Sequence, residues 1–155
     1  MNDPESIWEI LENNDEITIN SEEETQLVQK VFDLVELNKK LYKFHLEKKV
    51  DPSRKEWLNL TGLSIAETER VCKLGDNALE KLIQVNLKLI ISSARKYSEE
   101  ENSSMLELVE EGKSSVKEAA YRWFPLKDKG YEFPTFLKFV IKTNMREKIN
   151  NEKSS

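Results

Sequence analysis

Apolar residues recur along this chain at intervals of three and four, and almost no stretch alternates with period two, so the pattern predicts helices throughout. "DPESIWEILENN" predicts a short first helix with Ile7, Ile10 and Leu11 on one side and acids on the other. A long helix follows from Ser21, which stands at capping-box spacing from Glu24. Leu27, Val31, Leu34 and Leu37 or Leu41 form its apolar stripe, and Asp51-Pro52 stops it. Two short helices then make a connector, one ending near Gly62 and the next capped by Ser64. Asp76 is placed to cap a central helix, "ALEKLIQVNLKLIISSARKY", whose apolar positions cover well over half its circumference. Residues 98–104 read as a polar turn. "MLELVEEG" and "SVKEAAYRWF" read as helical segments meeting at Gly112, which marks either a helix end or a close helix contact. "PLKDKGYEFP" is a loop, Pro134 begins the last helix "TFLKFVIKTNMREKIN", and the tail "NEKSS" is expected to fray.

Composition narrows this to one all-α bundle. A chain of 155 residues suits a single domain with a real core, and only four Gly and four Pro beside 34% charged residues describe long elements with few turns. One cysteine, Cys72, excludes an intramolecular disulfide, and no apolar run approaches the roughly 20 residues that span a bilayer. The expectation is a soluble, cytoplasmic protein with no membrane association. The net charge of -5 conceals a gradient: residues 1–24 carry nine acids and no base, whereas residues 113–155 carry ten bases and five acids.

Candidate chemistry is sparse. His45 and Cys72 cannot supply a structural zinc site, His45 has no evident carboxylate to orient it as a base, and no glycine-rich phosphate loop is present. A hydrolase or transferase reading would rest on His45 alone, so no catalytic residue, metal or cofactor is expected. The last helix is more informative. Phe136, Phe139, Thr143 and Arg146 line one face, and Leu137, Ile141, Met145 and Ile149 line another. Two explanations fit: a helix buried on a wide face, or a base-stacking surface with Lys138, Lys142, Arg146 and Lys148 around it for phosphates.

"LIQVNLKLIISSARKY", "MLELVEEGKSSVKEAAYRW" and "KGYEFPTFLKFVIKTNMREKI" together resemble region 2 of bacterial sigma-70 family factors, with its NLRLV, AKKY, LDLIQEG and KGYKFSTYA patterns. Upstream, "DPESIWEIL" and "ITINSEEETQLVQKV" resemble region 1.2, and "EWLNLTGLS" resembles the connector of cyanobacterial primary and group 2 factors. The resemblance implies a division into residues 1–50 (region 1.2-like), 51–76 (connector), 77–150 (region 2-like) and 151–155 (tail). It also implies two partners. The LDLIQEG helix of the family docks on the clamp helices of the RNA polymerase β′ subunit, and the matching residues here are Glu107, Glu110, Glu111 and Gly112, followed by Lys113. The family's aromatics trap a flipped base of the single-stranded minus-ten promoter element, and the matching residues are Tyr131, Phe133, Thr135, Phe136 and Phe139. Asn86, Lys88 and Leu89 would line the path of the bases, with Asn86 alternatively a plain buried amide, and Lys142, Thr143 and Arg146 would follow the strand.

Several positions depart from the family pattern. Phe139-Val140 stands where a Trp pair is usual, Glu147 replaces an Arg, "FPLKDKG" carries two extra residues, and Lys113 and Lys117 occupy clamp positions that are normally uncharged. The resemblance stops at region 2, which leaves open both a fragment of a longer factor and a truncated sigma-like factor. The implied function is a transcription initiation factor domain that binds polymerase core and minus-ten single strands beside the nucleoid. The alternative is a decoy or regulator that binds polymerase or an anti-sigma protein without recognising promoters.

Overall fold

In the computed structural model, which describes residues 4–12 and 17–154, the chain forms seven helices and one 3₁₀ turn. They are α1 (Pro4–Glu12), α2 (Ser21–Lys48), α3 (Arg54–Thr61), α4 (Ile65–Val85), α5 (Leu87–Glu101), α6 (Met105–Trp123), the 3₁₀ turn (Phe124–Lys129) and α7 (Phe133–Ser154). The described residues contain no strand, and the fold is an all-α bundle.

Local chemistry sets most helix ends. Ser53 and Glu56 form a reciprocal capping box, Ser64 accepts from the Glu67 amide at 3.1 Å, and Gly62 leaves α3 in the left-handed conformation at φ 74. At α2 the cap shifts by one residue from the expected Ser21: the Asn20 side chain accepts from the Glu23 amide at 2.8 Å. Lys49 closes the same helix at φ 61, ahead of Asp51-Pro52. The expected turn at 98–104 is shorter, because α5 continues to Glu101 and Ser104 starts α6. The tail is also more regular than expected. α7 runs to Ser154, where Lys153 pairs with Glu101.

The boundary expected at Asp76 is absent, the choice left open at Gly112 falls to a close contact, and one unexpected break appears. Gly75 and Gly112 both lie inside continuous helices, so Asp76 caps nothing and the two segments around Gly112 are one helix. Each glycine marks a close approach. A Cβ on Gly75 would stand 2.6 Å from Leu34 Cβ on α2, and one on Gly112 would stand 2.6 Å from Ile90 Cγ2 and 3.1 Å from Met145 Cε. The expected central helix instead bends at Asn86, whose φ of -105 and ψ of 10 separate α4 from α5. The Asn86 side chain donates to the Leu82 carbonyl at 2.8 Å, and its backbone amide shares the Leu82 and Ile83 carbonyls at 3.2 Å each. A short polar side chain that competes for helix carbonyls is a recognised cause of such a break.

The core joins Val28 and Val31 of α2, Leu82 of α4, Ile90 and Ile91 of α5, Val109 and Val116 of α6, and Leu137, Ile141 and Met145 of α7. α1 covers it with Trp8 and Leu11, not with Ile7 and Ile10 as expected; those two stay exposed. A nine-residue amphipathic helix offers two nearly equivalent faces, and the indole buries the larger area. Arg95 of α5 reaches Glu12 at 2.9 Å and ties α1 down.

Gly75→Ala should destabilise the fold by about 1–3 kcal/mol, because its methyl meets Leu34 near the backbone, where the neighbour has little room to move. Urea denaturation measures it; a gain of about 1 kcal/mol, as helix propensity alone would give, is the contrary result.

Candidate functional site

An open cleft of about 830 Å³ lies where the loop after α6 meets the start of α7, lined by Leu126, Lys129, Gly130, Tyr131, Glu132, Thr135, Phe136 and Phe139. Gly130, at φ 90, turns the chain out of the 3₁₀ segment. Trp123 anchors the residues after that turn: its indole N–H donates to the Tyr131 carbonyl at 2.8 Å, and its ring lies 5.4 Å from that of Phe133. The loop is held from beneath. Tyr131 and Phe139 project at 61% and 60% exposure, so two aromatic rings stand at the cleft with faces open to solvent.

The sequence-matched residues take different places. Tyr131, Thr135, Phe136 and Phe139 come together in the cleft. Phe133 does not face it: the ring is buried against Trp123 and supports the loop, so it offers no free face to a base. Phe136 is half-buried on the core, with the Arg122 guanidinium 5.4 Å above its ring. Lys142 and Arg146 are placed on α7 beyond the cleft, Lys142 exposed, Arg146 exposed to the side and Thr143 half-buried between them. From Phe139 to Arg146 is two helical turns, about 10 Å. Asn86, Lys88 and Leu89 do not line the cleft. They sit at the α4–α5 bend, where the Asn86 amide is used by Leu82, Lys88 is exposed and Leu89 packs on the core.

Several cleft residues had no strong signal in the sequence. Leu126, Lys129 and Gly130 belong to a segment with no periodicity, and Arg122 reaches Phe136 only because α6 and α7 pack side by side. Arg122 is positioned in turn by Glu118 at 3.2 Å, and Asn144 of α7 donates to Ser115 at 2.9 Å and Glu118 at 3.4 Å.

A second surface is the outer side of α6. Glu107 and Glu110 are exposed, Lys113 reaches Glu110 at 3.5 Å, and Leu106 projects among them at 59% exposure. Glu111 is half-buried and lines a groove toward α7 with Asn144, Glu147 and Lys148. Of the two positions where a Trp pair is usual, Val140 is buried in the core and Phe139 stands at the surface. His45, 3.8 Å from an exposed Asp51, is itself exposed. Among the described residues no three His, Cys, Asp or Glu side chains are grouped to hold a metal ion, and no helix is long and apolar enough to cross a membrane.

Behind the loop a second cavity of about 470 Å³ separates it from the start of α2, with Glu24 and Glu132 both on its wall. Burial, and then the Glu132 charge, raise the Glu24 carboxyl above its ordinary value of 4.5. A carboxyl whose pKa is raised by folding holds its proton more readily in the folded state. Its contribution to stability is therefore fully present below pH 4.5 and is lost as pH rises through the raised value. Glu24→Gln should raise the Tm modestly at neutral pH, and the difference from the parent should vanish below pH 4.5; thermal melts across that range decide it.

No protein-family model matches the chain. Individual proteins do. It is 30% identical over 92 residues to the RNA polymerase sigma factor SigA2 of Synechococcus elongatus, covering 59% of this chain and 28% of that protein. It is 28% identical over 134 residues to SigA of a Nostoc species, covering 86% and 34%, and 31% identical over 111 residues to SigA4 of Synechococcus elongatus, covering 68% and 35%. The chain thus spans about a third of the length of the curated relatives it matches. Together with the ordered motifs and the all-α bundle, these relatives support a sigma-70 family factor, of which the chain corresponds to a partial region.

Proposed function

We propose that this chain is the part of a transcription initiation factor that docks on RNA polymerase core and holds single-stranded minus-ten promoter DNA. The observation that carries the reading is the exposed Phe139 ring at the rim of a formed cleft, with Lys142 and Arg146 continuing along α7. A base laid on Phe139 or Tyr131 would place its backbone along those cations. The outer side of α6, with Glu107, Glu110 and the exposed Leu106, is the docking surface for the β′ clamp helices, and Glu111 borders it. Acids around an apolar residue suit a basic coiled coil. In this role the protein binds and positions, without a catalytic step or cofactor of its own, and works in the cytoplasm at the nucleoid.

Few cations flank the cleft, and Glu132 opposes Lys129 on its wall, so DNA affinity in isolation is low and polymerase supplies most of the binding energy. A second reading, polymerase binding without promoter recognition, draws on Glu147, an acid one residue past Arg146. Such a protein would act as a decoy or as bait for an anti-sigma protein.

Titrating purified polymerase core with this chain, with and without a fluorescent minus-ten oligonucleotide, separates the two. Capture of the oligonucleotide in preference to a scrambled one supports the initiation reading, whereas polymerase binding alone supports the decoy. Phe139→Ala should weaken capture by about 1–3 kcal/mol, roughly ten- to a hundredfold, with polymerase affinity unchanged. Glu107→Lys combined with Glu110→Lys should reduce polymerase binding in a pull-down while leaving helix content intact; undiminished binding would remove α6 as the docking surface.

A further inference from the structure

The two ends of the fold carry apolar faces of opposite electrostatic character. On α1, Ile7 and Ile10 lie one turn apart at 43% and 63% exposure, with Glu9 exposed beside them, in the segment of residues 1–24 that contains nine acids and no base. At the far end of α2, Tyr42 and Leu46 lie one turn apart at 67% and 50% exposure, and Val50 follows at 60%. Residues 39–50 contain five lysines and one glutamate. Lys40, Lys43 and Lys49 are exposed and make no ion pair among the described residues. Single exposed apolar residues are ordinary, but apolar pairs at helical spacing beside an excess of one charge, here lysines over the exposed Glu47 and Asp51, are how helix-in-groove contacts are built.

Within one molecule these faces do not cover each other. α1 is fixed on α5 by Trp8, Leu11 and the Glu12–Arg95 pair, and all five apolar side chains remain exposed. We propose that the chain associates head to tail with a second copy of itself, the Ile7–Ile10 face of α1 seating on the Tyr42–Leu46 face of α2 and on Val50 just past its end. Charge complementarity selects this occupant: the acidic face and the basic face are both carried by every copy, so the chain supplies its own partner. Because the two faces differ, the contact is heterologous, and each pair formed leaves one face of each kind open for another copy. The apolar area is small, so the association is weak and weakened further by salt. It is independent of polymerase or DNA binding.

Sedimentation velocity of the whole chain over a concentration series, in low and high salt, tests this. The weight-average mass should rise with concentration in low salt and fall back toward the monomer in high salt. Ile7→Ser with Ile10→Ser, and separately Tyr42→Ser with Leu46→Ser, should each remain monomeric alone. Mixed, they should form a one-to-one pair and nothing larger, since each retains the face the other has lost. Lys40→Glu with Lys43→Glu supplies a second basic-face variant should the serine pair lose helix content. A chain that is monomeric at every concentration in low salt overturns the proposal, even if it captures an unrelated acidic helix. So does association that survives both variants, or a mixture no heavier than its components.

Discussion

The fold turns on the meeting of α5, α6 and α7 at Gly112. Ile90 and Met145 approach the bare Cα of this residue so closely that a methyl group there would stand 2.6 Å from Ile90 and 3.1 Å from Met145. With no side chain in the way, α6 serves as the shared wall for both neighbours, and its buried Val109 and Val116 flank the contact on either side. Gly75 plays the corresponding part between α4 and α2. The bundle is thus assembled around two places where a helix-weakening residue is kept because close packing recovers more than helix propensity loses.

From that contact the cleft follows. Once α7 is seated along α6, the chain between them must turn back over the end of the bundle, and Trp123 is the last α6 residue able to hold it. Its N–H satisfies the Tyr131 carbonyl while its ring packs against Phe133. The aromatic side chains of this corner divide accordingly: Trp123 and Phe133 inside, Tyr131 and Phe139 outside. A rigid inner pair beneath an exposed outer pair is the arrangement a stacking surface requires, since the rings need support without being covered.

What the sequence discloses and what it hides divide along the range of the forces involved. The cap at Ser64 and the exit from α3 at Gly62 depend on chemistry within four residues and are legible from the letters alone. So is the division of α7 between a buried Leu137, Ile141, Met145 and Ile149 and an outward Phe139. Gly112 reads in the sequence as either a helix end or a close contact, and Asp76 beside Gly75 as a cap, because what decides each lies on other helices. Asn86, conversely, is hidden inside an unbroken apolar pattern, since a bend changes no periodicity. At the cleft, Phe136 and Phe139 are visible through helical spacing, whereas the Trp123–Tyr131 hydrogen bond and the Arg122–Phe136 contact depend on how the loop and α7 fold back on α6, which spacing does not encode. Motif matching alone places Phe133 beside Tyr131, and the turn of the backbone through the loop puts one inside and the other out.

The segment from Asn86 to Tyr97 is apolar along its middle and polar at its ends, and the structure gives those ends separate duties. The amide belongs to the joint, Arg95 to the anchoring of α1, and Tyr97 to the core. In mechanical terms Asn86 is an elbow without a sleeve: α4 and α5 abut directly, so no spare chain absorbs a change of angle between them. Ile90 sits one turn beyond the joint and abuts Gly112, so one side chain lies between the joint and the seam of α6 with α7. The joint at Asn86 and the aromatic cleft are thus connected through packing alone, with no residue in common.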